Sequence, residues 1–163
     1  MQVTFKGSPL TLVGTPVTVG AAFPDFTVTG NDLSPVSLAD TQGVRIILTV
    51  PSVDTPTCET EVVTFNKRAS EIPGVSVYTV SLDLPFAQSR FCGAQGIDAV
   101  RTVSDYKDHS FGKATGTYIA ELGLLARAAF VVNAAGTVVH VEYVRETAEQ
   151  PDYDAILAAA KNA

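Results

Sequence analysis

Apolar and polar positions alternate along this chain in short runs, and the runs predict strands first. Gln2 to Phe5 and Leu10 to Val13 read as a hairpin around a Lys6-Gly7-Ser8-Pro9 turn. Phe26 to Thr29 reads as a strand, with Gly30-Asn31-Asp32 as its turn and Val36 to Leu38 beyond. Val44 to Val50 is mostly β-branched and apolar, the pattern of a central strand covered on both faces. Glu59 to Ser70 predicts a helix with Val62, Val63 and Phe65 as buried candidates, stopped by Pro73-Gly74. Val75 to Ser81 is the next strand, so strand, helix and strand imply a parallel pair with a right-handed crossover.

Further along, Pro85 to Gly93 predicts a short helix with Cys92 near its end. Residues 98–120 are mixed and carry no readable element. Ala128 to Val132 and Thr137 to Val144 form a second hairpin around Asn133-Ala134-Ala135-Gly136. Asp152 to Asn162 is a closing helix entered through Pro151 and Asp152. The order is that of an α/β sandwich. It matches a thioredoxin-like fold, a central mixed sheet flanked by helices, with an N-terminal β-hairpin extension.

Composition supports a packed core. The chain has 163 residues, 46% hydrophobic and 17% charged, which suits one domain that needs no disulfide staples. Its formal net charge is -6, and its 11 Lys and Arg form no basic stripe, so nucleic acid is not an expected partner. Leu122 to Val132 is the richest apolar stretch, but Arg127 interrupts it and it is too short to cross a bilayer, so no membrane is expected. The first residues show no charged start followed by an apolar run, so the expected compartment is the cytoplasm, where thiols stay reduced.

Only two cysteines are present, Cys58 and Cys92. In such a chain they are inert, metal-binding or redox-active. His109 and His140, the only histidines, have no metal-ligand spacing to a further donor, so neither a metal nor a cofactor is expected. Peroxide chemistry needs a thiolate, whereas a free thiol has a pKa of about 8.5. Cys58 follows a strand and opens a helix, where unpaired amides and the positive end of the dipole favour an anion. Thr55 lies three residues earlier and can turn its hydroxyl into the same pocket. Pro51 and Pro56 stiffen the loop, and Pro51 can shield the sulfur. The plain alternative is a small buried cysteine beside a capping threonine.

Pro51, Thr55 and Cys58 fit the PxxxTxxC motif, and the fuller string PSVDTPTC resembles the thiol peroxidase branch of the atypical 2-Cys peroxiredoxins. The resemblance spans nearly the whole chain. It includes Ala22-Phe23-Pro24-Asp25-Phe26, Ser89-Arg90-Phe91-Cys92 and Leu125-Ala126-Arg127-Ala128. It implies one thioredoxin-like peroxiredoxin domain over 1–163 that reduces hydrogen peroxide and organic hydroperoxides. Cys58 would be the peroxidatic cysteine, oxidised to sulfenic acid. Thr55 would hydrogen-bond thiolate and peroxide, Arg127 would stabilise the thiolate and place the peroxide, and Pro51 would limit solvent. Cys92 would resolve the sulfenic acid as an intramolecular disulfide. Thioredoxin or a similar dithiol protein would reduce that disulfide, and the assembly would be a homodimer.

Arg127 also stands out by itself. It interrupts an apolar strand, Leu124 to Val132, and a buried guanidinium needs an anionic or hydrogen-bonding partner. A Cys58 thiolate would serve, and so would a structural carboxylate. Glu59 and Glu61 would oppose a thiolate if they faced it, so both are expected to point to solvent or to pair with Arg or Lys. Disulfide closure needs Cα atoms within about 7 Å, and two cysteines on different helices seldom start so close. Oxidation is therefore expected to unwind structure near one or both, with Pro85, Gly93 and Gly96 marking the segment that rearranges. An apolar collar including Phe23 and Val53 is expected around Cys58, which would favour alkyl hydroperoxides. Three competing readings remain. A disulfide oxidoreductase would show a CxxC pair, which is absent. A redox-sensing module would not turn over, and a plain structural domain would have thiols inert until unfolding.

Overall fold

The computed structural model describes residues 1–163, except for the side chain of Ser70. A seven-stranded mixed sheet forms the centre, in the order β12 (Val138–Tyr143), β11 (Ala128–Val132), β6 (Val44–Thr49), β7 (Val75–Ser81), β8 (Val100–Ser104), β4 (Thr27–Gly30), β5 (Pro35–Ser37). Its middle is parallel: β6 (Val44–Thr49) pairs with β7 (Val75–Ser81), and β7 with β8 (Val100–Ser104). On one side β11 (Ala128–Val132) runs antiparallel to β6, and β12 (Val138–Tyr143) antiparallel to β11. On the other side β4 (Thr27–Gly30) is antiparallel to β8 and turns into β5 (Pro35–Ser37).

Strand alternation sorts side chains onto two faces. From β6, Ile46 and Leu48 join a core with Val62 and Phe65 of α1 (Pro56–Arg68) and with Ile156 and Leu157 of α4 (Tyr153–Lys161). Ile47 points to the opposite core, with Phe23, Phe26, Phe130 and Phe111 of α3 (Ser110–Thr115). Phe91 of α2 (Pro85–Gln95) is half-buried and packs on the α1 and α4 side. Full burial of each large apolar side chain contributes about 1.5–3 kcal/mol before entropy is counted. These two layers hold β6, whose carboxyl end carries the site.

Helix starts follow capping chemistry. α1 begins at Pro56, three residues before the expected Glu59, because proline suits the first helical position. Asp152 caps α4 by accepting from the Ala155 amide at 3.0 Å. The expected opening hairpin is shorter than read. β1 (Val3–Phe5) pairs with β2 (Ser8–Leu10) across Lys6 and Gly7 alone, both at positive φ, as a two-residue turn requires. β3 (Leu12–Val13) leaves that hairpin to join β9 (Tyr118–Ile119) and β10 (Leu124–Leu125) in a small separate sheet. The expected strand from Leu124 to Val132 is therefore two strands in two sheets, and Ala126-Arg127 is the link between them.

Candidate active site

β6 delivers the chain to the carboxyl edge of the sheet, where Pro51 is buried and a turn leads into α1. Cys58 is the third residue of that helix and is wholly covered. Val50, Val53 and half-buried Phe91 pack around it. Val53 thus belongs to the expected collar. Phe23 does not: it lies in the core on the other face of the sheet, in edge contact with Phe26 and Phe130. Its place is taken by Phe91, the residue before Cys92.

Arg127 reaches this helix from the link between β10 and β11 and is 1% exposed. It donates in three directions. Nε bonds the Thr147 carbonyl at 3.1 Å, Nη1 bonds Glu61, and Nη2 bonds Cys58 Sγ at 3.3 Å. Both candidate partners of the buried guanidinium, sulfur and carboxylate, are therefore engaged together. Burial by itself would lower the arginine's pKa, but its interactions with Glu61 first and then Cys58 outweigh that and hold it above its usual value.

Glu61 sits one turn after Cys58 and is fully buried. It does not point to solvent; it takes the other expected course and pairs with Arg127. Burial pushes its carboxyl up to about 7, against the pull of Arg127. Glu59 is half-buried and lines a groove of about 560 Å³ with Asp54, Asp83, Arg90 and Phe91. That groove lies outside the Val53 and Phe91 cover.

The Thr55 hydroxyl does not bond the sulfur. It donates to the Ser52 carbonyl at 3.1 Å, which closes the tight turn before α1. The Thr55 carbonyl accepts from the Glu59 amide at 2.9 Å. Asp83, just past the end of β7, holds the same turn from the next strand. It accepts from Ser52 Oγ at 2.6 Å, the Val53 amide at 2.8 Å and Ser81 Oγ at 2.6 Å. Buried Gln88 of α2 donates to Ser81 Oγ at 3.0 Å and the Val103 carbonyl at 2.8 Å. One polar network thus ties the Cys58 turn to the helix that carries Cys92. Nothing in the motif around Cys58 singles out Asp83 or Gln88; the position of Asp83 beyond a strand's carboxyl end is the one signal the sequence carries for it.

Cys92 faces elsewhere. Its half-buried sulfur lies 3.3 Å from Thr102 Oγ1, and that hydroxyl also bonds Asn31. α2 starts near the carboxyl edge and runs back, so Cys92, its eighth residue, sits about 10 Å along the axis from its start. Both cysteines are free thiols. His109 stands just before α3 without a side-chain cap bond and stacks on Tyr118, with ring centroids 4.8 Å apart, and His140 lies on the edge strand β12. Among the described residues no group of three or more His, Cys, Asp or Glu could hold a metal ion, and no helix is long and apolar enough to cross a membrane.

Comparisons with known proteins place the chain in a family. The Redoxin family model matches residues 18–157. A thiol peroxidase of Clostridium acetobutylicum is 58% identical over 163 residues, covering 100% of this chain and 99% of that one. A thiol peroxidase of Bacillus subtilis is 53% identical over 161 residues, covering 98% and 96%. The crystal structure of a peroxiredoxin-like protein from Aquifex aeolicus superposes with a TM-score of 0.93 at 40% identity, covering 99% and 96%. The thioredoxin-like fold, with its mixed sheet and flanking helices, is that of this family. With its buried cysteine opening a helix beside a guanidinium, this chain belongs to the Redoxin family and to its thiol peroxidases.

Proposed function

We propose that Cys58 is the sulfur that performs the thiol-dependent peroxide reduction of this family, with Arg127 as its electrostatic partner. The contact that carries this reading is Arg127 Nη2 on Cys58 Sγ at 3.3 Å, in the first turn of α1. A cation and a helix start both stabilise negative charge on the sulfur. The thiolate attacks one peroxide oxygen, the O–O bond breaks, and the other oxygen leaves as hydroxide or alkoxide and takes a proton. Cys58 becomes a sulfenic acid. Peroxide enters as Phe91 and Val53 part, since both line the groove and both pack on the covered sulfur. Thr55 sits at the mouth of the turn, and its hydroxyl can swing from the Ser52 carbonyl to the incoming peroxide. Pro51, buried just past the end of β6, is the residue to which we assign the exclusion of bulk water.

Cys92 is the resolving thiol in this reading. Its thiolate attacks the sulfenic sulfur, the S–O bond breaks, hydroxide leaves and takes a proton to become water, and an intramolecular Cys58–Cys92 disulfide forms. The two sulfurs face different partners, so closure requires the α2 segment through Gly93 and Gly96 to unwind. A thioredoxin-type dithiol protein then reduces the disulfide. A homodimer in the cytoplasm is the setting we assign to this cycle.

Mass spectrometry of protein treated with one equivalent of peroxide tests the scheme. A Cys58–Cys92 link is expected. Sulfinic Cys58 beside a free Cys92 would remove the resolving role.

A further inference from the structure

The guanidinium on Cys58 does not hold itself in place. Its Nε is fixed by the Thr147 carbonyl at 3.1 Å, and the Arg127 carbonyl accepts from the Val144 amide at 3.0 Å. Thr147 lies in the 145–150 segment, between β12 and α4. The same segment grips the start of α1. Gln150 Nε2 donates to the Thr57 carbonyl at 2.9 Å, and the Thr57 hydroxyl reaches the Ala148 carbonyl at 3.5 Å. Arg127 and the residue before Cys58 therefore hang from one short stretch of chain.

That stretch is tied to the opening hairpin through one carboxylate. Glu146 accepts from Thr4 Oγ1 at 2.8 Å, from the Lys6 amide at 3.0 Å and from the Gly7 amide at 3.1 Å. It also accepts from the Ala148 amide of its own segment at 3.3 Å. Lys6 and Gly7 both have positive φ, so the tight turn aims two successive amides at one anion. Backbone bonds run alongside: the Thr4 amide to the Arg145 carbonyl at 2.7 Å and the Thr147 amide to the Thr4 carbonyl at 2.8 Å. Beneath them Val3 packs with Ile119 and Ala126, the neighbour of Arg127. The Gly7 amide first, then Thr4 and the other donors, pull the Glu146 carboxyl down to about 2.

We propose that Glu146 is a positioning residue for Arg127: by clamping the 145–150 segment to the β1–β2 hairpin, it keeps the Thr147 carbonyl on Nε and Nη2 on Cys58. The proposal rests on the reading that Arg127 stabilises the Cys58 thiolate. It gives the N-terminal hairpin a task in the chemistry although the hairpin contributes no side chain to the sulfur's surroundings.

A double-mutant cycle tests it, in a Cys92→Ser background so that one thiol is read. The pH dependence of Cys58 alkylation and the second-order rate with peroxide are measured for Glu146→Ala and Thr4→Val. Both are repeated in an Arg127→Gln/Glu61→Gln background, which removes the guanidinium and its buried carboxylate together. Circular dichroism and cooperative urea unfolding check each fold. Glu146→Ala is expected to move the titration to higher pH and slow the peroxide reaction about ten-fold, since small misplacement of a reacting group carries that scale of penalty. Thr4→Val is expected to act in the same direction by less. Neither is expected to add anything once the guanidinium is gone. Thr4→Val alone decides the matter if Glu146→Ala does not fold. If removal of Arg127 moves the titration but neither hairpin variant does, the clamp is overturned and the thiolate reading stands. Equal effects of the hairpin variants with and without Arg127 also overturn it. If removal of Arg127 leaves the titration unmoved, the thiolate reading fails and the clamp fails with it.

Discussion

Glu61 lies one helical turn beyond Cys58, and both side chains end on the guanidinium of Arg127. Carboxylate and sulfur thus compete for one buried cation. The competition depends on the protonation of Glu61, because burial raises its pKa to about 7.

A pH dependence follows. The folded value, about 7, lies above the ordinary 4.5, so the folded protein binds this proton more tightly than the unfolded chain does. The resulting stability is fully present below pH 4.5 and is lost as pH rises through 7. Wild type is therefore expected to lose up to about 3 kcal/mol relative to Glu61→Gln between those limits. Urea midpoints of both proteins at pH 5 and pH 8 check this. A gap that widens in favour of wild type at pH 8 would contradict it.

Removing only one side of the pair should be costly. Arg127→Gln leaves an acid buried without its cation and is expected to destabilise the fold by about 3 kcal/mol. Adding Glu61→Gln should recover a large part of that loss, because the carboxyl no longer needs a partner. Additive losses in denaturant unfolding would show that the pair is not coupled.

Cys92→Ser separates the two halves of the cycle. The first oxidation of Cys58 is expected to keep its rate, because Cys92 faces Thr102 and not the guanidinium. Turnover with a dithiol reductant is expected to disappear, and sulfinic acid should accumulate at Cys58 with excess peroxide. Stopped-flow oxidation and intact mass report both. A slowed first step would place Cys92 in the attack itself.

Phe91 covers the sulfur together with Val53, and it precedes Cys92 on α2. Phe91→Ala is expected to speed alkylation of Cys58 by a bulky maleimide several-fold, at a stability cost of about 2 kcal/mol. Unchanged alkylation would mean that the route to the sulfur lies elsewhere.

Much of this arrangement was written in local pattern. Val44–Thr49 and Val75–Ser81 are long apolar runs bounded by turn residues, and both strands lie where the pattern put them. The terminal helix carries its own cap in Asp152. β8 escaped because exposed Arg101 and the polar Thr102 and Ser104 break the apolar run of a five-residue strand. α3 escaped because its start is anchored by the Asp105 carboxylate, which accepts the Phe111 and Gly112 amides from outside the helix. Two-residue strands such as β3 and β9 have no period to read. At the site, the motif around Cys58 and the isolated Arg127 were legible. Glu61 was legible only as one of several acids, since nothing local distinguishes a buried glutamate from a solvated one. Its partner is 66 residues away. The Thr55 hydroxyl was aimed at the sulfur by motif and is held by a turn instead.

The most direct trial is peroxide-dependent oxidation of a reduced thioredoxin system by wild type and by Cys58→Ser. Wild type should sustain turnover with each addition of peroxide, and the serine variant should show none above the uncatalysed background. Sustained turnover by folded Cys58→Ser would contradict the assignment of Cys58 as the attacking sulfur.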